Sequence, residues 1–295
     1  MNEDFSQTRL DIDVDFYRSL HPNLHVLTDS QLAEHYHRCG EHEGRPASPL
    51  SFVNILLDSI RSSEDALEVG PNCSPKLKGE RVRYFDVLDS AGLAARAASA
   101  GAPGQIAPHM DYVSPLGDLS IVETAAFDAI FSSHCIEHVP DLIRHLNQAA
   151  RILRPGGRYL LMIPDKRYCH DHYIAASTVA EVIQAYHEQR VTHGIANFIQ
   201  NFALTTHNDS KRHWAGDHGV QKIFEDPGAF VRAMQIYQDA SGGYTDLHAW
   251  RFTLRGFRDL LNQLAVNGLI GLWPSRVVGT LRNINSFMAI LTHAP

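Results

Sequence analysis

One stretch constrains the chain more than any other: Phe127–Asp165, FDAIFSSHCIEHVPDLIRHLNQAARILRPGGRYLLMIPD. Phe127–Ser132 is a short apolar run suited to a strand buried on both faces. Asp141 can cap a helix behind it. Leu142, Leu146, Ala149 and Leu153 then share one helical face, with Arg144, Gln148 and Arg151 elsewhere. Arg154-Pro155-Gly156-Gly157 should stop the helix, because proline cannot continue it and glycine tolerates the turn. Tyr159–Ile163 reads as a second buried strand, closed by Pro164-Asp165. Strand, helix and strand at this spacing make a parallel crossover. Ser132, Ser133, His134, Glu137 and His138 fall just past the first strand, at the carboxyl edge where open parallel sheets bind ligands.

This stretch resembles the class I S-adenosylmethionine-dependent methyltransferases, whose fourth strand, helix and fifth strand often read FDxIxSSxxxEHV…LxxxxRxLxPGGxLxxxxPD. The resemblance covers roughly residues 50–295. It implies an α/β fold, a doubly wound, seven-stranded, mostly parallel sheet, with S-adenosyl-L-methionine as cofactor. A short strand at Ala66–Val69 ends in Glu68-Val69-Gly70-Pro71, where the family carries an acidic residue and glycine. Glycine there lets the backbone approach the ligand's methionine part with no Cβ in the way, and Glu68 can engage its ammonium. The family's common ExGxGxG is here EVGPNCSP, and the eleven residues from Pro71 to Arg81 are too few for a full crossover helix. That departure resembles a subgroup encoded near polysaccharide genes, with EhGPxxxP and a shortened connection.

Val82–Phe85 reads as the second strand, ending at Asp86, eighteen residues after Glu68. An acid there can accept both ribose hydroxyls; Asp89 is the alternative, and a turn or cap role is the structural one. Ala91–Ala102 reads as helix and Ile106–Val113 as the third strand. Asp111 resembles the residue that meets the adenine, with Gly117-Asp118-Leu119 as rival. After the fourth strand, Ser133 and His134 should border the cofactor. His138 can serve as general base on an acceptor hydroxyl, since imidazole titrates near neutrality; alternatively, Glu137-His138 only orients the loop. His134 and His172 complete the catalytic candidates.

Residues 166–250 read as an insertion emerging from the carboxyl edge, placed to cover the acceptor as a lid. Its helical run Ser177–Gln189 should turn Val179, Val182, Ile183 and Tyr186 inward. The chain's 18 histidines concentrate here in part: His170, Asp171, His172, His207, His213, Asp217 and His218 raise a metal reading. No HExxH or CxxC fixes it, so no metal ligand is assigned. The other reading is a polar cleft for hydroxyl-rich substrates, with Trp214 and Trp250 free to stack on a sugar ring. Beyond the insertion, Thr253 should cap a helix Leu254–Asn267 with Phe257, Leu260, Leu261 and Leu264 inward. Leu269–Val278 and Asn285–Thr292 should close the sheet as an antiparallel hairpin.

Ahead of this domain, residues 1–10 read as disordered and residues 1–49 as a separate helical module. Phe16, Tyr17 and Leu20 suit one short helix; Leu32, Tyr36 and His37 suit a second, stopped by Gly40. Asp15-Phe16-Tyr17, Pro22, Leu32, His35-Tyr36, Gly40 and Glu43-Gly44-Arg45 resemble a module found beside bacterial glycosyltransferases. It implies either docking to glycan-biosynthesis proteins or a flap on the main core. A helix over Leu50–Ser62 should then turn Phe52, Val53, Leu56, Leu57 and Ile60 inward.

Charge and cysteines bound the rest. A net charge of −7 lacks the basic footprint of nucleic-acid binding. No run of 18 apolar residues suggests a membrane span. Cys39, Cys73, Cys135 and Cys169, scattered, suit reduced thiols and a cytoplasmic setting. The function expected is methyl transfer to a sugar hydroxyl of a polysaccharide or glycolipid. The alternatives are a small-molecule or lipid methyltransferase and a non-catalytic docking subunit with a degenerate cofactor pocket. A nicotinamide dehydrogenase is disfavoured, since no GxGxxG follows the first strand.

Overall fold

A computed structural model describes residues 12–43, 45–48, 53–54, 57–280 and 282–293. Seven strands form one sheet: β1 Ala66–Val69, β2 Val82–Asp86, β3 Tyr112–Val113, β4 Phe127–Ser133, β5 Leu153–Pro164, β6 Leu272–Val278 and β7 Ser286–His293. Their order is β3-β2-β1-β4-β5-β7-β6. Every neighbouring pair is parallel except β5 with β7 and β6 with β7. The chain reverses its winding between β1 and β4, and such a switch point opens a crevice at the carboxyl ends of the strands. This is the doubly wound, mostly parallel sheet expected.

The central crossover forms around a helix over Leu142–Ile152. Asp141 caps it, its carboxylate accepting from the Arg144 N–H at 2.9 Å. Leu142, Ile143, Leu146, Ala149 and Ile152 are all fully buried. Leu153 is not the helix's last apolar residue; it opens β5, opposite Phe127. Arg154-Pro155-Gly156-Gly157 then bulges, since the next pair in register is Ala129 with Arg158. The third strand is also shorter than expected. Only Tyr112 and Val113 pair with β2, and Ile106 is exposed. Pro108, which has no N–H to give a ladder, lies within the expected run.

On the other side of the sheet, a helix over Leu254–Val266 is capped by Thr253, which accepts from Gly256 N–H at 3.1 Å. Phe257, Leu260, Leu261 and Leu264 face the core, as the spacing predicts. The insertion leaves and returns at one point: Asp165 and Phe252 make an isolated parallel bridge, and Lys166 N–H donates to Phe252 C=O at 2.8 Å. It carries helices over Val179–His187, Ile195–Ala203, Ser210–Trp214, Lys222–Glu225 and Ala229–Ala240. The first buries Val182 and Ala185, while Ile183 and Tyr186 face solvent, so its inward face is rotated from the one expected. Trp214 stacks on Tyr168 at 3.9 Å, and Trp250 is buried with its indole N–H on Val139 C=O at 2.7 Å. Both rings are therefore already engaged by the protein.

The chain divides into two compact units, Met1–Arg61 with Leu281–Ile284 and Ser62–Thr280 with Asn285–Pro295. In the first, helices over Val14–Leu20 and Asp29–His35 pack Tyr17, Leu24, Leu32 and Tyr36 together. The second helix runs on through a π-turn, Tyr36–Gly40. Gly40 lies against the Tyr17 hydroxyl with no room for a Cβ. The expected disordered segment 1–10 lies outside the described residues, as do Gly44 and Leu50, Phe52 and Leu56 of the expected helix. Positions 53–54 and 57–58 are helical. Among the described residues, no helix is long and apolar enough to cross a membrane.

Candidate active site

The carboxyl ends of β1, β2 and β4 enclose a cavity of about 300 Å³. Glu68, Gly70, Pro71, Asp86, Ser133, His134 and His138 line it, with Leu116, Gly117, Tyr244 and Asp246 on the remaining walls. Most of the site residues expected from the sequence thus meet at the switch point. Asp111 and His172 do not. Asp111 turns back to the sheet edge, where its carboxylate accepts from Tyr84 N–H at 2.9 Å. Gly117, the first residue of the rival adenine segment, faces the cavity instead, together with Leu116. His172 lies on the insertion, stacked on His218 at 3.7 Å, with Nδ1 against Arg167 C=O at 2.8 Å.

The loop after β1 is short, and the two acids hold it. Glu68 accepts from Lys76 N–H with both oxygens, at 2.9 and 3.0 Å, and from Leu77 N–H at 2.8 Å. Those contacts give Glu68 a structural task that the sequence does not reveal. Asp86 accepts from Val87 N–H at 2.7 Å and from Asn72 N–H at 3.2 Å. Each of its oxygens keeps acceptor capacity for a diol. Burial pushes both carboxyls above their usual range. Gly70 has φ +72, and a Cβ there would meet Cys135 Sγ at 2.8 Å. The loops after β1 and β4 therefore touch at a point that only glycine allows.

The loop after β4 carries the ionisable groups. His134 sits at φ +51 with Nε2 on Ser286 Oγ at 2.6 Å. Burial, helped by neighbouring histidines, pushes its imidazole down to about 4. Glu137 is fully buried behind it, and burial pushes its carboxyl up to about 7. Among the described residues, neither of its oxygens finds a hydrogen-bond donor. His138 Nδ1 stands 3.0 Å from Asp246 Oδ1, an ion-pair contact. Burial opposes charging of that ring, but Asp246 and Glu137 outweigh it and raise its pKa. The His138 contact in turn holds Asp246 at about 2.

The end of the insertion completes this wall. Glu137 C=O accepts from Ala249 N–H at 2.7 Å and from Trp250 N–H at 3.0 Å. That pairing brings His248 in, with Nε2 3.9 Å from Glu137 Oε1. His248 Nδ1 donates to Asp171 Oδ2 at 2.5 Å, and Asp171 also faces Arg251 Nε at 3.4 Å. Burial would raise the Asp171 carboxyl, but His248 and Arg251 hold it at about 2. Sequence reasoning does not single out Tyr244, Asp246 and His248 as site residues. Their one local signal is a run of polar, hydrogen-bonding residues just before the helix cap at Thr253.

These features fit S-adenosylmethionine. The cavity lies at the low end of ligand-pocket sizes. An acid at the end of β2 suits a ribose, and the close approach at Gly70 suits a ligand laid across the β1 loop.

Comparison with known proteins agrees. A family model described as a methyltransferase domain matches residues 43–209, more than half of the chain. The ubiquinone biosynthesis O-methyltransferase of Xanthomonas oryzae pv. oryzae (strain PXO99A) is 40% identical over 53 residues, 18% of this chain and 22% of that protein. The match thus spans about a fifth of the curated relative's length. Among solved structures, a SAM-dependent methyltransferase from Methanosarcina mazei is 14% identical, covering 80% of this chain and 95% of its own, at TM-score 0.38. One from Mesorhizobium loti is 12% identical, covering 81% and 95%, at TM-score 0.41. A Rhodobacter sphaeroides protein described as a Zn-dependent alcohol dehydrogenase is 14% identical, covering 85% and 92%, at TM-score 0.43. At these scores the structural likenesses carry no weight, and the assignment rests on the family model together with the sheet order. The chain belongs to the methyltransferase-domain family.

Proposed function

We propose that this protein transfers the methyl group of S-adenosylmethionine to a hydroxyl oxygen of an acceptor that enters beside the 134–138 loop. When bound, the cofactor supplies a sulfonium methyl whose C–S bond breaks, leaving its electron pair on sulfur, as the C–O bond forms. The observation that carries this reading is the cavity at the switch point, with the Asp86 carboxylate at the end of β2 and the Gly70 turn at the end of β1. Asp86 holds the ribose hydroxyls and Gly70 admits the methionine part. Leu116 and Gly117 border the adenine in place of Asp111. His134 and His138 face the methyl, on the side where an acceptor loses its proton. Aligning acceptor and methyl, and keeping water out, are the main demands of such a displacement.

A sugar hydroxyl of a polysaccharide or glycolipid is the narrower reading. It is supported by the EVGPNCSP loop and the N-terminal module, which resemble those of polysaccharide-associated enzymes. The name of the Xanthomonas relatives supports oxygen as the accepting atom. In this reading the N-terminal unit docks to a glycan-biosynthesis protein. The test is incubation with methyl-labelled S-adenosylmethionine and panels of sugars, phenols and lipids, read by mass spectrometry. The expected result is an O-linked methyl on a sugar. Label found only on nitrogen would contradict hydroxyl transfer, and label found only on a phenol or lipid would contradict the sugar.

A further inference from the structure

Glu137 poses a physical problem that methyl transfer does not answer. A carboxyl buried with no donor for either oxygen among the described residues is costly in its ionised form unless a positive charge compensates it. Around it stand nitrogens rather than N–H donors in hydrogen-bonding range. His138 Nε2 lies 3.8 Å and His248 Nε2 3.9 Å from Glu137 Oε1. The tautomer of His248 is set by Asp171. An ionised carboxylate only accepts, so Nδ1 carries the proton at the 2.5 Å contact. His248 Nε2 therefore points a lone pair toward the Glu137 carboxyl, an arrangement relieved by a proton on the carboxyl or by a cation between them.

We infer that Glu137, His138 and His248 form a binding site for one divalent transition-metal ion in the wall of the cofactor cavity. Their ligand atoms all lie within 4.8 Å of one another. Bonds of about 2.0–2.1 Å to a tetrahedral ion would place ligands roughly 3.4 Å apart, so the two histidines would each draw a few tenths of an ångström closer to Glu137, and their ligating nitrogens, no more than 4.8 Å apart, would close on each other. Two histidines and one carboxylate suit zinc, iron, manganese or cobalt, and three protein ligands leave a position open. Asp171 is the outer carboxylate that fixes ring and tautomer of a ligating histidine. The two contributing segments are held together by the hydrogen bonds from Ala249 and Trp250 to Glu137 C=O.

Two other groups stand among the described residues: His170 with Asp171 and His248, where Asp171 already holds His248 Nδ1, and His172 with His213 and His218, which fits less well. His213 Nδ1 and His218 Nδ1 are hydrogen-bonded to each other at 3.0 Å, and the His172 and His218 rings lie face to face. Stacked rings do not converge their lone pairs on one point.

His138 lines the cofactor cavity, so the open position faces the acceptor side. An acceptor hydroxyl bound there would ionise more easily, its proton leaving to water, before it attacks the methyl. That role rests on the methyl-transfer reading; the ion site does not.

The test uses the full-length protein, stripped with a chelator and titrated with Co²⁺, read by visible absorption and by elemental analysis. Wild type should bind one ion per chain with the spectrum of a low-coordinate N/O site. Glu137→Gln and His248→Ala should each weaken binding at least about tenfold, while His218→Ala should leave it unchanged. Thermal melts check folding, and the two variants are independent of each other. No stoichiometric binding by wild type would overturn the inference. So would binding lost in His218→Ala but kept in Glu137→Gln. S-adenosylhomocysteine binding is measured on the same samples. An ion bound without the cofactor product would keep the metal site and sink the methyl-transfer reading. Cofactor binding without an ion would do the reverse.

Discussion

At the scale of single residues, Gly70 carries the sharpest demand. Its φ of +72 and the 2.8 Å approach of Cys135 Sγ to a Cβ position leave no space for a side chain. Gly70→Ala should cost about 1–2 kcal/mol in backbone strain alone. It should also weaken S-adenosylhomocysteine binding by more than the change in stability explains, as read by calorimetry beside urea unfolding. Unchanged binding would mean that the β1 turn does not approach the ligand.

His145 makes a different prediction. It is buried against Tyr159, with Nε2 3.0 Å from the hydroxyl, and the same hydroxyl lies 3.0 Å from Ser132 Oγ. Burial pushes its imidazole from 6.5 down to about 4 in the folded chain. The unfolded chain therefore takes up this proton first, and folding stability falls as pH drops from 6.5 toward 4. Between about pH 7 and pH 5 the loss should be on the order of 2 kcal/mol. His145→Gln should remove that part of the pH dependence in urea titrations. An equal loss in wild type and variant would refute the assignment. The place of Asp86 in the cavity wall is legible because it ends a strand at a telling distance from Glu68. The backbone duties of Glu68 and Asp111 are not, since each depends on which N–H groups a loop or neighbouring strand happens to present.

At the scale of elements, the crossover helix Leu142–Ile152 shows what local pattern can and cannot reveal. Its cap and buried face come from Asp141 and the spacing of Leu142, Leu146 and Ala149. Asp141→Ala should cost about 1 kcal/mol by loss of the cap. Leu146→Ala should cost roughly 2–5 kcal/mol by opening a cavity in the core. Urea unfolding checks both, and similar values for the two would contradict the packing described. Where the pattern misleads, a tertiary partner decides the outcome. Leu153 pairs with Phe127 across the sheet instead of ending the helix. The insertion helix Val179–His187 rotates to bury Ala185 rather than Tyr186. Neither outcome is encoded in the helical period alone.

At the scale of the whole molecule, the site is assembled from distant parts of the chain. Glu137 and His138 come just after β4, whereas Tyr244, Asp246 and His248 return from the far end of the insertion. The sheet is readable because strand, helix and turn signals are local. The back wall is not, because it forms only where contacts distant in sequence, such as the bridge between Asp165 and Phe252, bring the insertion's ends together. The same distance explains why the sequence points a metal reading at the clustered histidines of the insertion rather than at Glu137, His138 and His248.

The methyl transfer proposed for this site depends on the cavity at the switch point holding S-adenosylmethionine through Asp86. The most direct measurement is calorimetric titration of the folded wild-type protein and of Asp86→Ala with S-adenosylhomocysteine. Saturable binding at one site per chain is expected, weakened at least about a hundredfold by a change that removes two charge-assisted hydrogen bonds. Folded wild-type protein that binds no ligand, or an Asp86→Ala variant that binds as tightly as wild type, would contradict it.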